Sequence, residues 1–432
     1  MSADLNAATH GARAAMVDRL VSDGVLTDCR LREALLRVRR EVLLPHAYVR
    51  VSGPGADPIE WRLLQGAHPE DREEWFGLIH SDESILLQRD GEPLDALRRG
   101  PVSGGHMSSM STYTPATVGA LQALRVEPGH SFLDLGTGPG VSLALAAAVT
   151  GPGHATGVEH DGHMSAFARR NVDDLALGAT VVEGDALDGH PAGGCYDRIH
   201  SGIGVPCVPT AWVQQLAPGG MLLTTLATRT PSWPGQVLVT RTPAGEVEAV
   251  LKGTQRGYRP MFGHRWLTAL DHRARIEADP GRSRPTTLAP PADDAYGFWI
   301  AAAHMLGNGS LVRDFQAETM TIVAPDDDSW AVAGPGDGTV RVHGRRDVWA
   351  ELEDLHARWD EAGRPDRHVV ELPDGGGPQH VVSGTGRNAL TWTLPALATV
   401  PRQDAMTTPS QGPVAAVSPA PLPTGTHPRS PS

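Results

Sequence analysis

Between residues 115 and 228 the spacing of apolar positions changes again and again. Stretches 117–124, 142–149, 164–175 and 211–216 carry apolar residues at three- and four-residue intervals, the period of a helix with one buried face. Between them lie short apolar runs at 130–135, 155–159, 179–182, 196–201 and 220–227, which read as buried strands. Strands that alternate with helices predict βαβ units around a parallel sheet. Upstream, Met16, Leu20, Val21 and Val25, then Leu31, Ala34, Leu35 and Val38, repeat with helical spacing. Asp28 stands where an N-cap belongs, and Pro45 closes the run. Residues 51–104 are mixed, with Pro/Gly breaks at 53–58 and 100–105, and predict short elements. Downstream, strands are predicted at 236–239, 247–251, 320–324, 329–333 and 338–343, and a helix at 347–361.

Composition refines this picture at the ends. Seven of the ten tryptophans lie after residue 230, too much aromatic content for a solvated linker. Residues 401–432 are rich in Pro, Ser, Thr and Ala and lack aromatic residues, so a disordered tail is expected. The chain divides into N-terminal helices (1–50), an insertion of short elements (51–105), an α/β core (106–230), a C-terminal α+β extension (231–400) and the tail (401–432).

Charge and cysteine content exclude several classes. The net charge of −13 argues against binding a phosphate backbone. Nearly all basic residues are Arg, with Lys252 the single Lys. Cys29, Cys195 and Cys207 have neither disulfide-framework nor zinc spacing. The nineteen histidines show no HExxH pattern, and no metal is expected. The first residues lack a signal-peptide core, and the longest apolar run, 141–149, is far below the ~20 residues of a membrane helix. A soluble cytoplasmic protein, in all expectation a monomer, follows from these readings.

The most informative stretch is Phe132-Leu-Asp-Leu-Gly136-Thr-Gly138-Pro-Gly140. An apolar strand delivers the chain to a glycine-rich turn, and a helix follows, the place where an open parallel sheet holds a nucleotide-like ligand. Glu159 ends the next strand, where a carboxylate can accept both ribose hydroxyls, and Gly184-Asp185-Ala186 follows the third. Ser142 breaks the GxGxxG pattern of dinucleotide binding. Acidic residues spread over several strand ends suit one adenosine without pyrophosphate, which points to S-adenosylmethionine. Asp134 would face the methionine ammonium. Each acidic residue taken singly is equally well a turn or cap residue.

The N-terminal 226 residues resemble protein-L-isoaspartate O-methyltransferases. The resemblance rests on Val38-Arg-Arg-Glu41-Val-Leu-Leu-Pro45-His-Ala-Tyr48, on Ser111-Thr-Tyr-Thr-Pro115-Ala-Thr, on the glycine loop, and on Asp197 and Gln215-Leu-Ala-Pro-Gly-Gly220. It implies a class I methyltransferase fold, Rossmann-like, and methyl transfer to an aspartyl or isoaspartyl carboxylate of a peptide. Such a carboxylate is ionised at pH 7, so positioning and desolvation suffice without a strong base. Expected cofactor contacts are Asp134, Gly136, Thr137, Gly138, Gly140, Glu159, His160, Gly184, Asp185, Ala186 and Ser201. Ser111, Thr112, Tyr113 and Thr114 are the catalytic candidates, with His106, Ser108, Ser109, Met110, Arg259 and His264 as substrate contacts.

Two departures from the family matter. Ser-Gln usually precedes the proline, whereas here Tyr113-Thr114 does; Tyr113 either narrows the acceptor pocket or is a packed aromatic. The extension also resembles that of actinobacterial relatives that tailor ribosomally made peptides such as lanthipeptides and graspetides. That implies a constrained precursor peptide as partner, with an aspartate esterified and the ester collapsing to aspartimide. The Gly257–Trp266 cluster, which holds Arg259 and His264, either faces that peptide or forms a surface hairpin. Isoaspartyl repair, a non-catalytic peptide-binding module and a small-molecule carboxyl methyltransferase are the alternatives.

Overall fold

The computed structural model describes residues 3–53, 58–228, 235–253, 270–307, 311–316, 319–334 and 338–397. The chain opens with helices α1 (Ala3–Ser22), α2 (Cys29–Arg37) and α3 (Arg40–Leu43). Asp28 caps α2 by accepting from the Arg30 and Leu31 amides, as its position predicts, and Leu31, Ala34 and Leu35 form the buried face. Arg13 reaches across to Glu41 at 2.9 Å, a buried pair that ties α1 to α3. Neither member can be removed alone without leaving a charge in the core.

Next come β1 (His46–Arg50), β2 (Glu60–Gln65), α4 (Arg72–Ile79), β3 (Ile85–Arg89), β4 (Pro101–Ser103) and β5 (Met107–Ser111). The five strands form one antiparallel sheet, ordered β4-β2-β1-β3-β5. The short elements of 51–104 therefore recruit a strand from each side. β1 lies within the stretch assigned above to N-terminal helices. That assignment is corrected here: His46–Arg50 is extended because β2 pairs with every residue of it.

The α/β unit follows the predicted alternation: α5 (Thr114–Ala123), β6 (Phe132–Leu135), α6 (Val141–Thr150), β7 (Ala155–Glu159), α7 (Gly162–Asp174), β8 (Thr180–Glu183), β9 (Tyr196–Val205), α8 (Thr210–Gln214) and β10 (Leu216–Leu226). β8, β7, β6, β9 and β10 lie side by side and parallel. The chain moves outward from β6 to β7 and β8, then returns to β9 on the other flank of β6. The strand order reverses there, the switch point at which such sheets leave a crevice for ligands.

The remainder comprises β11 (Gly235–Arg241), β12 (Val247–Gly253), α9 (Leu270–Ala278), β13 (Arg282–Pro285), α10 (Tyr296–Gly307), β14 (Val312–Gln316), β15 (Thr319–Ala324), β16 (Ser329–Ala333), β17 (Thr339–His343), α11 (Val348–Glu361), β18 (Arg367–Glu371), β19 (His380–Ser383) and β20 (Leu390–Thr393). Residues after 290 read as a separate stretch, but only part of them stands apart. β13–β17 make a second sheet, ordered β13-β17-β16-β15-β14, whereas β11, β12, β18, β19 and β20 extend the α/β sheet antiparallel to ten strands. One apolar core runs from Leu133, Ile199 and Leu222 through Val239 and Leu251 to Trp299, Trp349 and Trp392. α10 is apolar on all sides, as a helix inside that core must be. The fold is thus a Rossmann-like α/β architecture with mixed α/β regions at both ends.

Among the described residues, no helix is long and apolar enough to cross a membrane. The expected tail at 401–432 lies outside the described residues.

Candidate active site

All four residues of β6 are buried, so the strand carries Asp134 into the interior, where it is 0% exposed. An ionised carboxylate there needs every oxygen occupied. His200 Nδ1 donates to Oδ1 at 2.7 Å, and Ser142 Oγ donates to Oδ2 at 2.7 Å. His200 comes from β9, across the switch point, and Ser142 from the first turn of α6. The Asp134 carbonyl accepts from Thr137 Oγ1 at 3.0 Å, which closes the loop onto its own strand.

The loop between β6 and α6 folds tightly. Gly140, the α6 N-cap, has φ 91°, a conformation that favours glycine. A Cβ on Gly136 would stand 2.6 Å from Ile203 Cγ2, and one on Gly202 would stand 2.8 Å from the Gly136 carbonyl. Glycine at these positions lets the two backbones touch across the switch point.

Glu159 ends β7 and is 6% exposed. It accepts from the Gly138 amide at 2.8 Å and the Asp161 amide at 3.0 Å. Burial pushes its pKa up, and these amide donors pull it back. Asp185, just past β8, is half-buried and accepts from the Leu187 amide at 2.9 Å. Asp134, Glu159 and Asp185 thus follow one another at three adjacent strand ends, spread over roughly 10 Å at the usual strand separation. An elongated ligand with an amino group, a ribose diol and a base amine matches that set of acceptors.

The acceptor side is built by β5, which lies over the loop; Ser109 Oγ is 3.5 Å from where a Cβ on Gly138 would be. Here a small, partly open pocket lies between Met110, Ser111, Thr112, Gly136, Ser142, His200 and their neighbours. Of the four catalytic candidates, Ser111 and Thr112 line it, whereas Tyr113 and Thr114 do not. Tyr113 instead starts α5, its amide donating to Ser84 Oγ at 3.2 Å.

Among the expected substrate contacts, Met110 lines the cavity. Ser108 turns away to Gln88 Oε1 at 3.0 Å, and His106 is exposed on the turn before β5, its amide bound to Asp90. Arg259 and His264 lie outside the described residues. Of the expected cofactor contacts, Gly136 and Thr137 line the cavity, and Ser201 is buried behind it with its hydroxyl on the Ile203 carbonyl at 2.9 Å. His160 and Ala186 follow the carboxylates Glu159 and Asp185 directly, and Gly184 precedes Asp185. The sequence reading missed two site residues. Ser142 stood out only as a break in a glycine pattern. His200 had one available signal, a histidine beside Ile199 in a strand that reads as buried.

A family model for protein-L-isoaspartate(D-aspartate) O-methyltransferase matches residues 101–238. The protein-L-isoaspartate O-methyltransferase of Staphylothermus marinus is 30% identical over 181 residues, covering 40% of this chain and 75% of that protein. That of Aeropyrum pernix is 29% identical over 240 residues, 55% of this chain and 74% of the relative. A solved protein-L-isoaspartate O-methyltransferase structure aligns over 88% of this chain and 98% of its own, with a TM-score of 0.45 and 18% identity. The chain belongs to the protein-L-isoaspartate O-methyltransferase family, the S-adenosylmethionine-dependent carboxyl O-methyltransferases of proteins.

Proposed function

We propose that this chain esterifies the side-chain carboxylate of an aspartate in a ribosomally made, constrained peptide. A neighbouring backbone amide nitrogen then attacks the ester carbonyl and expels methanol, which gives an aspartimide that water can open to isoaspartate. The observation that carries this reading is the reach of the extension. The family match ends at residue 238, yet described chain continues to residue 397 and packs into the same core and sheet as the site. Repair of scattered isoaspartates calls for an open acceptor site. An added region of this size, built into the same core, suits a defined partner.

S-adenosylmethionine supplies an electrophilic methyl carbon on a sulfonium, with a thioether as leaving group. The protein's work is placement. Asp134, held by His200 and Ser142, offers a fixed negative charge at the methyl end of the site. Glu159 and Asp185 fix the nucleoside end. Ser111 and Thr112 would present hydroxyls to an incoming carboxylate and hold it in line with the methyl group. The carboxylate is already ionised, so no proton moves in this step. The cavity's partly apolar lining (Met110, Pro139, Val141) strips water from the attacking oxygen.

Isoaspartyl repair is the second reading, favoured by the activity after which the relatives are named. One experiment separates the two. The purified chain is given S-adenosylmethionine with either a macrocyclic aspartyl peptide or a linear isoaspartyl peptide, and products are followed by mass spectrometry. Methyl-ester formation and methanol loss on the macrocycle support tailoring. Turnover of the isoaspartyl peptide alone would replace it with repair.

A further inference from the structure

The last residues of β9 and the chain after them lie at the end of the sheet that holds the loop and the cavity. Gly202 is in the cavity wall, and Ile203 packs on Gly136. The chain then runs through Val205-Pro206-Cys207-Val208-Pro209 into α8. Val208 is 1% exposed and its backbone has no partner within the parallel sheet; both of its polar groups are met by one side chain from the extension. The Val208 amide donates to Gln379 Oε1 at 3.0 Å, and Gln379 Nε2 donates to the Val208 carbonyl at 2.6 Å. Gln379 thus pairs with Val208 as a neighbouring strand would, across 171 residues of sequence. Gln379 is itself anchored, because its carbonyl accepts from the Leu394 amide at 2.9 Å, joining it to the β19–β20 pair. Beside it, a Cβ on Gly376 would stand 3.4 Å from Thr210 Oγ1, so the exposed glycine loop before Gln379 meets the start of α8.

We infer that Gln379 is a positioning residue for the methyl acceptor: it fixes the 202–209 segment, and through it the far wall of the cavity, so that the extension sets acceptor selectivity. The inference rests on the peptide-carboxylate reading above. A buried backbone amide and carbonyl left unmet are costly, so without Gln379 the segment relaxes toward other partners. Asp134 and Glu159 sit on β6 and β7 and Asp185 just past β8, outside the 202–209 segment.

The test uses the full-length chain with Gln379→Met, which keeps volume and loses both hydrogen bonds, and Gln379→Glu, which keeps the acceptor for the Val208 amide. Three quantities are measured: S-adenosylhomocysteine affinity by calorimetry, hydrogen exchange at Val208, and kcat and KM for the macrocyclic aspartyl and linear isoaspartyl peptides. Gln379→Met is expected to leave cofactor affinity and kcat near wild type, speed exchange at Val208, and raise the macrocycle KM about fivefold to tenfold, the worth of about one buried hydrogen bond. The ratio of kcat/KM between the two peptides should fall, and Gln379→Glu should recover part of the loss. Faster exchange with both KM values and their ratio unchanged would overturn the inference and leave Gln379 a structural clamp. Equal loss of cofactor affinity would overturn it too. If the wild-type chain methylates neither peptide, the substrate reading falls and takes this inference with it.

Discussion

The parallel half of the large sheet and the extension that widens it both bury histidine, and they treat it differently. In the parallel half, His200 is 1% exposed and faces Asp134 at 2.7 Å, with Ser142 on the other oxygen. In the extension, His304 stacks on Trp392 at 6.2 Å between centroids, and neither of its ring nitrogens has a hydrogen-bond partner among the described residues. His368 lies edge-on to the same Trp392, with one nitrogen on Ser383 Oγ at 2.7 Å. Burial drives both extension histidines down to about 4, and His368 pushes His304 down further. A buried imidazole beside a carboxylate is a placed polar group. A buried imidazole beside aromatic rings is a packing residue whose proton uptake the fold opposes. The first marks a site; the second marks a core.

The largest effect expected from breaking this contrast is at Asp134. Asp134→Ala removes the shared acceptor of His200 and Ser142 and the charge at the methyl end, and cofactor affinity should fall at least about a hundredfold. Calorimetry with S-adenosylhomocysteine measures it; near-normal affinity would remove Asp134 from the binding machinery.

The extension should respond to acid instead. A histidine with a folded pKa near 4 and an unfolded value near 6.5 leaves the unfolded chain holding more protons between those limits. Stability is therefore fully present above pH 6.5 and drains away as pH falls toward 4, by up to roughly 3 kcal/mol for each histidine. Thermal unfolding across pH 4–7, followed by tryptophan fluorescence, should show this decline. His304→Phe should flatten it, and an unaltered slope would count against a buried neutral His304.

His200→Asn tests the parallel half. It puts a shorter side chain opposite Asp134 and breaks the 2.7 Å contact, and kcat/KM should drop about tenfold to thirtyfold. Smallest is Ser142→Ala, which takes one of two donors from Asp134 and should weaken the cofactor about threefold to tenfold. Equal effects for His200 and Ser142 would mean that Asp134 needs only a count of donors, with no special place for the histidine.

Sequence pattern made the parallel half legible because each of its elements advertises itself locally. β7 appears at 155–159 as read, and α6 and β6 differ from the reading by one or two residues. Such strands are buried on both faces and stand between helices with one apolar face, so period alone separates them. α10 escaped notice for the opposite reason: Tyr296-Gly-Phe-Trp-Ile-Ala-Ala-Ala has no polar face to give it a period. β18, β19 and β20 are short, and nothing in their sequence says that they join the large sheet through β18 on β12. β2 and β4 gain their strand character from a sheet completed by β1 and β5 on either side of the stretch.

The sequence by itself determined the alternation of elements, the glycine turn that needs left-handed backbone, and the acidic residue near each of three strand ends. Those features depend on neighbours a few residues away. Tertiary structure decided which hydroxyls line the cavity, putting Ser111 and Thr112 on its wall and turning Tyr113 to the start of a helix. It also brought His200 to Asp134 across 66 residues and Gln379 to Val208 across 171. Such contacts obey a requirement with no local signature: a buried polar group must find a partner, and the fold alone says which distant residue is near enough to be one.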